Sequence, residues 1–116
     1  MLRKSQEMRS EVKSNLRGGI GDLRFAHVLE PGELHAGFRL CAVITIPPGC
    51  SIGAHEHVGE EEIYFFRKGE GVLTEDGAAK EVRAGDVAVT RSGGTHSIEN
   101  RGTEDLEMLA MILLNG

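Results

Sequence analysis

Tryptophan is absent from this chain of 116 residues, and cysteine, proline and aromatic residues are scarce. Two cysteines, Cys41 and Cys50, are too few for a disulfide framework, so a packed core must hold the fold together. No apolar run approaches the roughly 20 residues that a membrane helix needs, and the N-terminus lacks the apolar stretch of a signal peptide. We therefore expect a cytoplasmic protein with no membrane partner, in which both thiols stay reduced.

An excess of positive charge is missing as well. The formal net charge is −5, and the basic residues near the N-terminus are interspersed with Glu7 and Glu11. A nucleic-acid-binding protein would concentrate Lys and Arg on one face, so we expect no nucleic-acid partner. The length suits one domain with one site.

Short strand-like runs, separated by Gly, Pro and Asp, fill the chain from Asp22 onward. Asp76 and Gly77 separate two such runs, which is a strong signal of a tight hairpin. Because turn signals recur about every ten residues, the pattern favours an all-β barrel or sandwich over β–α–β units. Besides two strands in the stretch 49–69, the predicted strands cover residues 23–29, 38–46, 72–75, 79–82, 87–90, 96–100 and 106–114.

The N-terminal segment differs from the rest. Residues 1–17 are predicted to form an arm and residues 18–116 a single barrel domain, because several glycines mark the boundary between them. Met8, Val12 and Leu16 have the spacing of one helix face, which favours a short amphipathic turn that docks on the barrel or on a second subunit. A disordered tail is the alternative that the sequence leaves open.

Two predicted strands, residues 62–66 and 106–114, are apolar on both faces. A barrel wall has only one inner face, and large exposed apolar patches are rare on monomers. In residues 62–66, Ile63 and Phe65 lie on the face opposite Glu62. In residues 106–114 both faces are apolar, one with Leu106, Met108, Ala110, Ile112 and Leu114 and the other with Leu109, Met111 and Leu113. Whichever apolar set faces outward must be covered. We expect a homodimer built on this surface.

The residues with metal-binding chemistry begin in the stretch GCSIGAHEHVGEEEIYFFRKG, residues 49–69. Alternate side chains of a strand share a face, so His55 and His57 can point together while Glu56 points away. Glu62 opens the next strand, and a short hairpin is expected to bring it back beside the two histidines. The stretch therefore offers two imidazoles and one carboxylate.

A second stretch, GDVAVTRSGGTHSIEN at residues 85–100, supplies His96 in a strand entered from a glycine-rich turn. The glycines at 49, 69, 85 and 93 are predicted to serve turns, and Asn100 to hold a loop by hydrogen bonds. Three histidines and one carboxylate are expected to converge.

Together the two stretches resemble the two consensus motifs of the cupin superfamily, and in particular the small single-domain cupins related to oxalate decarboxylase. Arg91 stands where the second motif usually has proline. The resemblance implies a jelly-roll barrel, also called a double-stranded β-helix. It also implies that four residues bind a divalent metal inside the barrel: His55, His57, Glu62 and His96.

This ligand set favours a transition metal, namely Mn, Fe, Ni, Co, Cu or Zn, over Mg or Ca. Four protein ligands on an octahedral ion leave two positions for water or substrate, and a divalent ion with one carboxylate leaves net charge +1. We therefore expect a small anionic ligand. Glu61 is the competing carboxylate, but Glu62 shares a strand face with Tyr64 and Phe66. His27 lies outside both motifs and is left out of the ligand set.

Two functions stay open. The chain could be a metalloenzyme acting on a small carboxylate or oxygenated substrate, or a non-catalytic cupin that binds a small molecule or is stabilised by its metal. Ile52 stands where the oxalate decarboxylase pattern has an arginine, so decarboxylation is not assigned and no catalytic residue is predicted. An arginine, or an acid or base outside the ligand set, facing the cavity would discriminate between the two functions.

Overall fold

The computed structural model describes residues 1–115, which form ten strands and two short 3₁₀ turns. The turns are Ser5–Glu7 and Leu16–Gly18. The strands are β1 (Arg9–Ser14), β2 (Asp22–Leu29), β3 (Phe38–Ile46), β4 (Ser51–Glu56), β5 (Glu60–Lys68), β6 (Glu70–Glu75), β7 (Ala78–Arg83), β8 (Val87–Thr90), β9 (Thr95–Glu99) and β10 (Leu106–Leu114). No helix among residues 1–115 is long and apolar enough to cross a membrane.

The strands form two antiparallel sheets that enclose the core. One sheet has six strands in the order β1-β2-β3-β10-β5-β8, and the other has four in the order β4-β9-β6-β7. The all-β fold predicted from the sequence is confirmed, and each predicted strand is present to within two residues of its expected ends. Asp76 and Gly77 form the predicted hairpin turn between β6 and β7, both with positive φ.

The core lies between the inner faces of the two sheets. Ile44, Met108 and Phe66 are neighbours in register across β3, β10 and β5, and each is at most 1% exposed. They belong to the same buried cluster as Ile52 and Ile98 of the four-stranded sheet. Each such buried side chain contributes about 1.5–3 kcal/mol of hydrophobic free energy. The alternation read from the sequence therefore does set which residues face inward.

The predicted helical turn in the N-terminal segment is wrong, because residues 9–14 form strand β1. This strand pairs with β2 along its whole length at the edge of the six-stranded sheet. Val12, expected on a covered helix face, is 61% exposed, whereas Glu11 contacts His27 of β2. Pairing with β2 satisfies the backbone groups of this segment that face β2. Three apolar residues at helical spacing bury too little surface to stabilise a short helix instead.

The expected hairpin between the strands of His55 and Glu62 is also wrong. β4 pairs with β9, whereas β5 lies in the other sheet between β10 and β8. The chain crosses between sheets at residues 57–59, where His57 exchanges backbone hydrogen bonds with Gly93 and Gly94. Glu62 therefore faces the histidines across the barrel instead of lying beside them in one sheet.

Two smaller predictions are confirmed. The four turn glycines all adopt positive φ, between 80° and 98°. The Asn100 amide donates to the carbonyls of Ile46 and Glu104, and its oxygen accepts from the Gly102 N–H, so this side chain does hold a loop.

Candidate metal centre

Four side chains from both sheets meet inside the barrel. His55 of β4 lies directly opposite His96 of β9, His57 follows β4, and Glu62 reaches them from β5. One potential ligand atom from each of the four lies within 4.8 Å of the others. Three of them are at most 3% exposed, and His55 is partly buried. The structure thus brings together all four residues that the sequence singled out.

The separations between these atoms suit a shared cation. His57 Nε2 lies 2.9 Å from His96 Nε2 and 2.9 Å from a Glu62 oxygen. His96 Nε2 lies 3.1 Å from His55 Nε2 and 3.1 Å from the same Glu62 oxygen. Adjacent ligands on an octahedral ion with bonds of about 2.1 Å are about 3.0 Å apart, so the spacing fits that geometry.

The second nitrogen of each imidazole is held by a neighbouring group. His55 Nδ1 donates to the Gly53 carbonyl at 2.8 Å, and His57 Nδ1 donates to the Glu60 carboxylate at 2.7 Å. Because these oxygens only accept, Nδ1 carries the proton in both rings and Nε2 is left with a free lone pair. His96 Nδ1 lies 2.8 Å from the Thr90 hydroxyl oxygen, which can accept a hydrogen bond from it in the same way.

The charge states favour the same arrangement. Burial lowers the pKa of His55, and the adjacent histidines act in the same direction, so this imidazole stays neutral. The Arg39 guanidinium, with His57, lowers the pKa of Glu60 to about 2. Bare nitrogens and a carboxylate that face one another at about 3 Å repel unless a proton or cation lies between them. The donor set therefore fits a metal ion.

Tyr64 forms part of the wall beside this cluster. Its ring stacks on His96 with centroids 4.9 Å apart, and its hydroxyl lies 3.5 Å from His96 Nε2. Burial raises the pKa of Tyr64 well above its usual value, and the Glu62 carboxylate adds to the shift. The phenol therefore keeps its proton and can donate a hydrogen bond.

A cavity of about 330 Å³ opens onto the cluster. Its wall is partly apolar, with Leu16, Phe25, Ile44 and Ile112 among the lining residues. Four basic side chains also line it: Arg9, Lys13, Arg17 and Arg39. Three of the four come from the first 17 residues, so the N-terminal segment forms part of the cavity wall.

The cavity also contains a titratable pair outside the four-residue cluster. His27 Nε2 lies 2.8 Å from a Glu11 oxygen, and His27 is only 6% exposed. The side-chain hydrogen bond with His27 lowers the pKa of Glu11. His35, the fifth histidine, is exposed in the loop between β2 and β3. The pair was missed in the sequence because Glu11 lies in a segment whose strand pairing has no strong local signal.

Comparison with known proteins agrees with this architecture. The family described as "Cupin domain" matches residues 42–112. An oxalate-binding protein of Thermotoga maritima is 47% identical over 98% of this chain and 94% of its own length. A crystal structure of a predicted oxalate decarboxylase from the same organism, also 47% identical, superposes with a TM-score of 0.94 over 98% of this chain and 99% of that one. A cupin 2 conserved barrel protein from Salinispora arenicola is 26% identical, with a TM-score of 0.75 over 97% of this chain and 87% of that one.

Proposed function

The chain belongs to the cupin family, and from that premise we propose that it binds a divalent transition metal and holds a small carboxylate anion beside it. The proposed metal ligands are His55, His57, Glu62 and His96. The observation that carries the proposal is the convergence of their four ligand atoms beside one cavity. In His55 and His57 the Nδ1 atom donates a hydrogen bond to a neighbouring oxygen, so Nε2 is the nitrogen that faces the cluster.

The charge of the proposed site supports an anionic ligand. Three neutral imidazoles and one carboxylate would leave a divalent ion with net charge +1, and basic side chains line the cavity. A metal bound there supplies Lewis-acid polarisation of a ligand oxygen. The protein's own part is to hold the ligand in the cavity and to donate a hydrogen bond to it from the Tyr64 hydroxyl. The relative that is called an oxalate-binding protein supports a carboxylate ligand.

A second candidate function is a metalloenzyme acting on the same class of substrate. It is favoured by one observation, the pair of His27 and Glu11 in the cavity wall, which is not needed to hold a metal. A buried histidine with a carboxylate partner is a common general acid or base. His27 and Glu11 are titratable residues that line the cavity but lie outside the proposed ligand set. The sequence alone did not indicate that they form a pair there.

The first test is metal analysis of the purified protein and of two histidine variants. We expect about one equivalent of transition metal in the wild type. His57→Ala should lose most of it, because it removes one of the four proposed ligands, the imidazole that lies closest to both His96 and Glu62. His35→Ala, which alters an exposed loop histidine, should keep it. Full metal occupancy in His57→Ala would remove His57 from the ligand set.

The same preparations then separate the two functions. Oxalate, malonate and formate are titrated into the loaded protein by calorimetry, and product formation is followed by NMR over hours. Binding without turnover supports the binding protein, and turnover supports the enzyme. Absence of binding by all three would contradict the carboxylate proposal.

We also propose a homodimer formed through the outer face of the six-stranded sheet. In register across β3, β10, β5 and β8, one row runs Val43, Leu109, Phe65, Val87. The next row adds Met111, Ile63 and Val89. Phe65, Val87 and Val89 are 42%, 62% and 50% exposed. Seven apolar side chains on neighbouring strands form a continuous patch of the kind that pairs with a second copy.

A further inference from the structure

Three arginines line the cavity, and only one of them lacks an acidic partner. Arg9 pairs with Glu30 at 3.0 Å, and Arg39 pairs with Glu60 at 2.7 Å. No carboxylate within residues 1–115 lies at ion-pair distance from the Arg17 guanidinium. The fourth cation, Lys13, lies over the ring of Phe25, 4.8 Å from its centroid. Arg17 is therefore the cavity arginine whose charge is still available to a ligand.

The backbone at Arg17 is in a conformation that its residue type does not favour. Its φ is 55° and its ψ is 33°, in the left-handed region. The other non-glycine residues with positive φ are Asn15 and Asp76, whose residue types tolerate this region. Glycine would be the ordinary choice at such a turn. Arg17 therefore carries a backbone strain that glycine would avoid, at a position whose side chain lines the cavity.

The turn that carries Arg17 is packed closely against the metal-site strand. A Cβ added to Gly53 of β4 would lie 2.1 Å from the Arg17 carbonyl oxygen, so only glycine allows this approach. Gly53 is two residues from His55, and its carbonyl oxygen accepts a hydrogen bond from His55 Nδ1. Arg17 also lines the same cavity as Tyr64 and the four-residue cluster.

We propose that Arg17 is a specificity-determining residue that receives one carboxylate of a small dicarboxylate ligand while the other carboxylate lies at the four-residue cluster. This inference rests on the proposed function. The planar guanidinium can bind a carboxylate through two parallel hydrogen bonds, which a point charge such as Lys cannot match. The carboxylates that also face this cavity are Glu11, which is bonded to His27, and Glu62, which is within the cluster.

The test compares a dicarboxylate with a monocarboxylate. Oxalate and formate are titrated by calorimetry into protein loaded with the metal found in the wild type. In Arg17→Gly we expect oxalate binding to weaken by about 10- to 100-fold, the size of lost hydrogen bonds between charged groups, and formate binding to change by about twofold or less. Glycine relieves the positive φ, so the melting temperature should be unchanged or higher and the metal content unchanged.

Two further variants make the result specific. Arg9→Gln removes an equal charge from the cavity wall at an arginine already paired with Glu30, and should weaken oxalate binding by about twofold or less. Arg17→Lys keeps the positive charge but lacks the planar guanidinium with its two parallel donors. It should retain only part of the wild-type affinity for oxalate. An equal loss in Arg9→Gln and Arg17→Gly would show a general charge effect and overturn the assignment.

The outcomes also separate this inference from the function beneath it. Wild-type affinity for oxalate in Arg17→Gly overturns the role of Arg17 and leaves the proposed function standing. Loaded wild-type protein that binds neither oxalate nor formate overturns both. A selective loss of oxalate affinity, with formate affinity and metal content preserved, supports both.

Discussion

Glu60 has a role beside the cluster that only the tertiary structure shows. It accepts a hydrogen bond from His57 Nδ1 and is itself held by two hydrogen bonds from Arg39, each 2.7 Å long. The motif spacing predicts which residues come together at the cluster, but it says nothing about the groups behind the imidazoles. In the sequence Glu60, Glu61 and Glu62 form one acidic run, and only the fold gives them different environments.

Glu60→Ala should therefore weaken metal binding without removing a ligand. Loss of the hydrogen-bond partner of the non-ligating nitrogen of a metal-binding histidine typically lowers metal affinity by about 10- to 100-fold. The affinity is measured by competition with a chromogenic chelator. Glu61→Ala is the matched control, because Glu61 lies on the same strand and its side chain makes no hydrogen bond or ion pair within residues 1–115. Equal affinities in the two variants would show that the Glu60 contact does not tune the site.

Individual strands could be predicted from the sequence to a large extent, but their partners could not. The alternation in Phe38–Ile46 and the Asp76-Gly77 turn are local signals, and both are confirmed. The helical turn in the N-terminal segment and the hairpin after His57 were wrong because both were decided by pairing between distant segments. β1 becomes a strand because β2 offers it a free edge, and Glu62 comes from the opposite sheet because the chain crosses over after β4.

The contact between the Arg17 turn and β4 should be sensitive to a single methyl group. Gly53→Ala would place Cβ 2.1 Å from the Arg17 carbonyl oxygen and 2.9 Å from the Gly19 nitrogen, so one of the two segments must move. We expect a loss of about 1–3 kcal/mol in the free energy of unfolding, measured by urea titration.

Gly37→Ala is the control for this substitution. A Cβ there would meet only the Leu114 side chain at ordinary contact distance, and Gly37 does not have positive φ. Its effect should stay within about 0.5 kcal/mol. If Gly53→Ala were equally mild, the turn would not be held by close backbone packing.

The whole molecule is expected to be a pair of chains. Light scattering coupled to size-exclusion chromatography should give twice the 12.5 kDa of one chain. Phe65→Glu places a charge in the centre of the outer apolar patch and should yield a monomer, because burying an unpaired charge at an interface is costly. Leu34→Glu changes a residue that is 48% exposed in the loop between β2 and β3, and should leave the dimer intact. A wild-type monomer at micromolar concentration would contradict the proposed interface.

The division of the proposed ligands between two sheets has a consequence for the folding equilibrium. His55, His57 and Glu62 lie close together in the chain, but His96 is 34 residues beyond Glu62, so an unfolded polypeptide does not present the four ligands as one set. The complete set exists only when β5 has closed over β4 and β9. An ion that binds this set would link the two sheets of the barrel. At a free metal concentration 100 times the dissociation constant, it would stabilise the folded form by about 2.7 kcal/mol. Metal binding and barrel folding would then be linked equilibria, so that each favours the other.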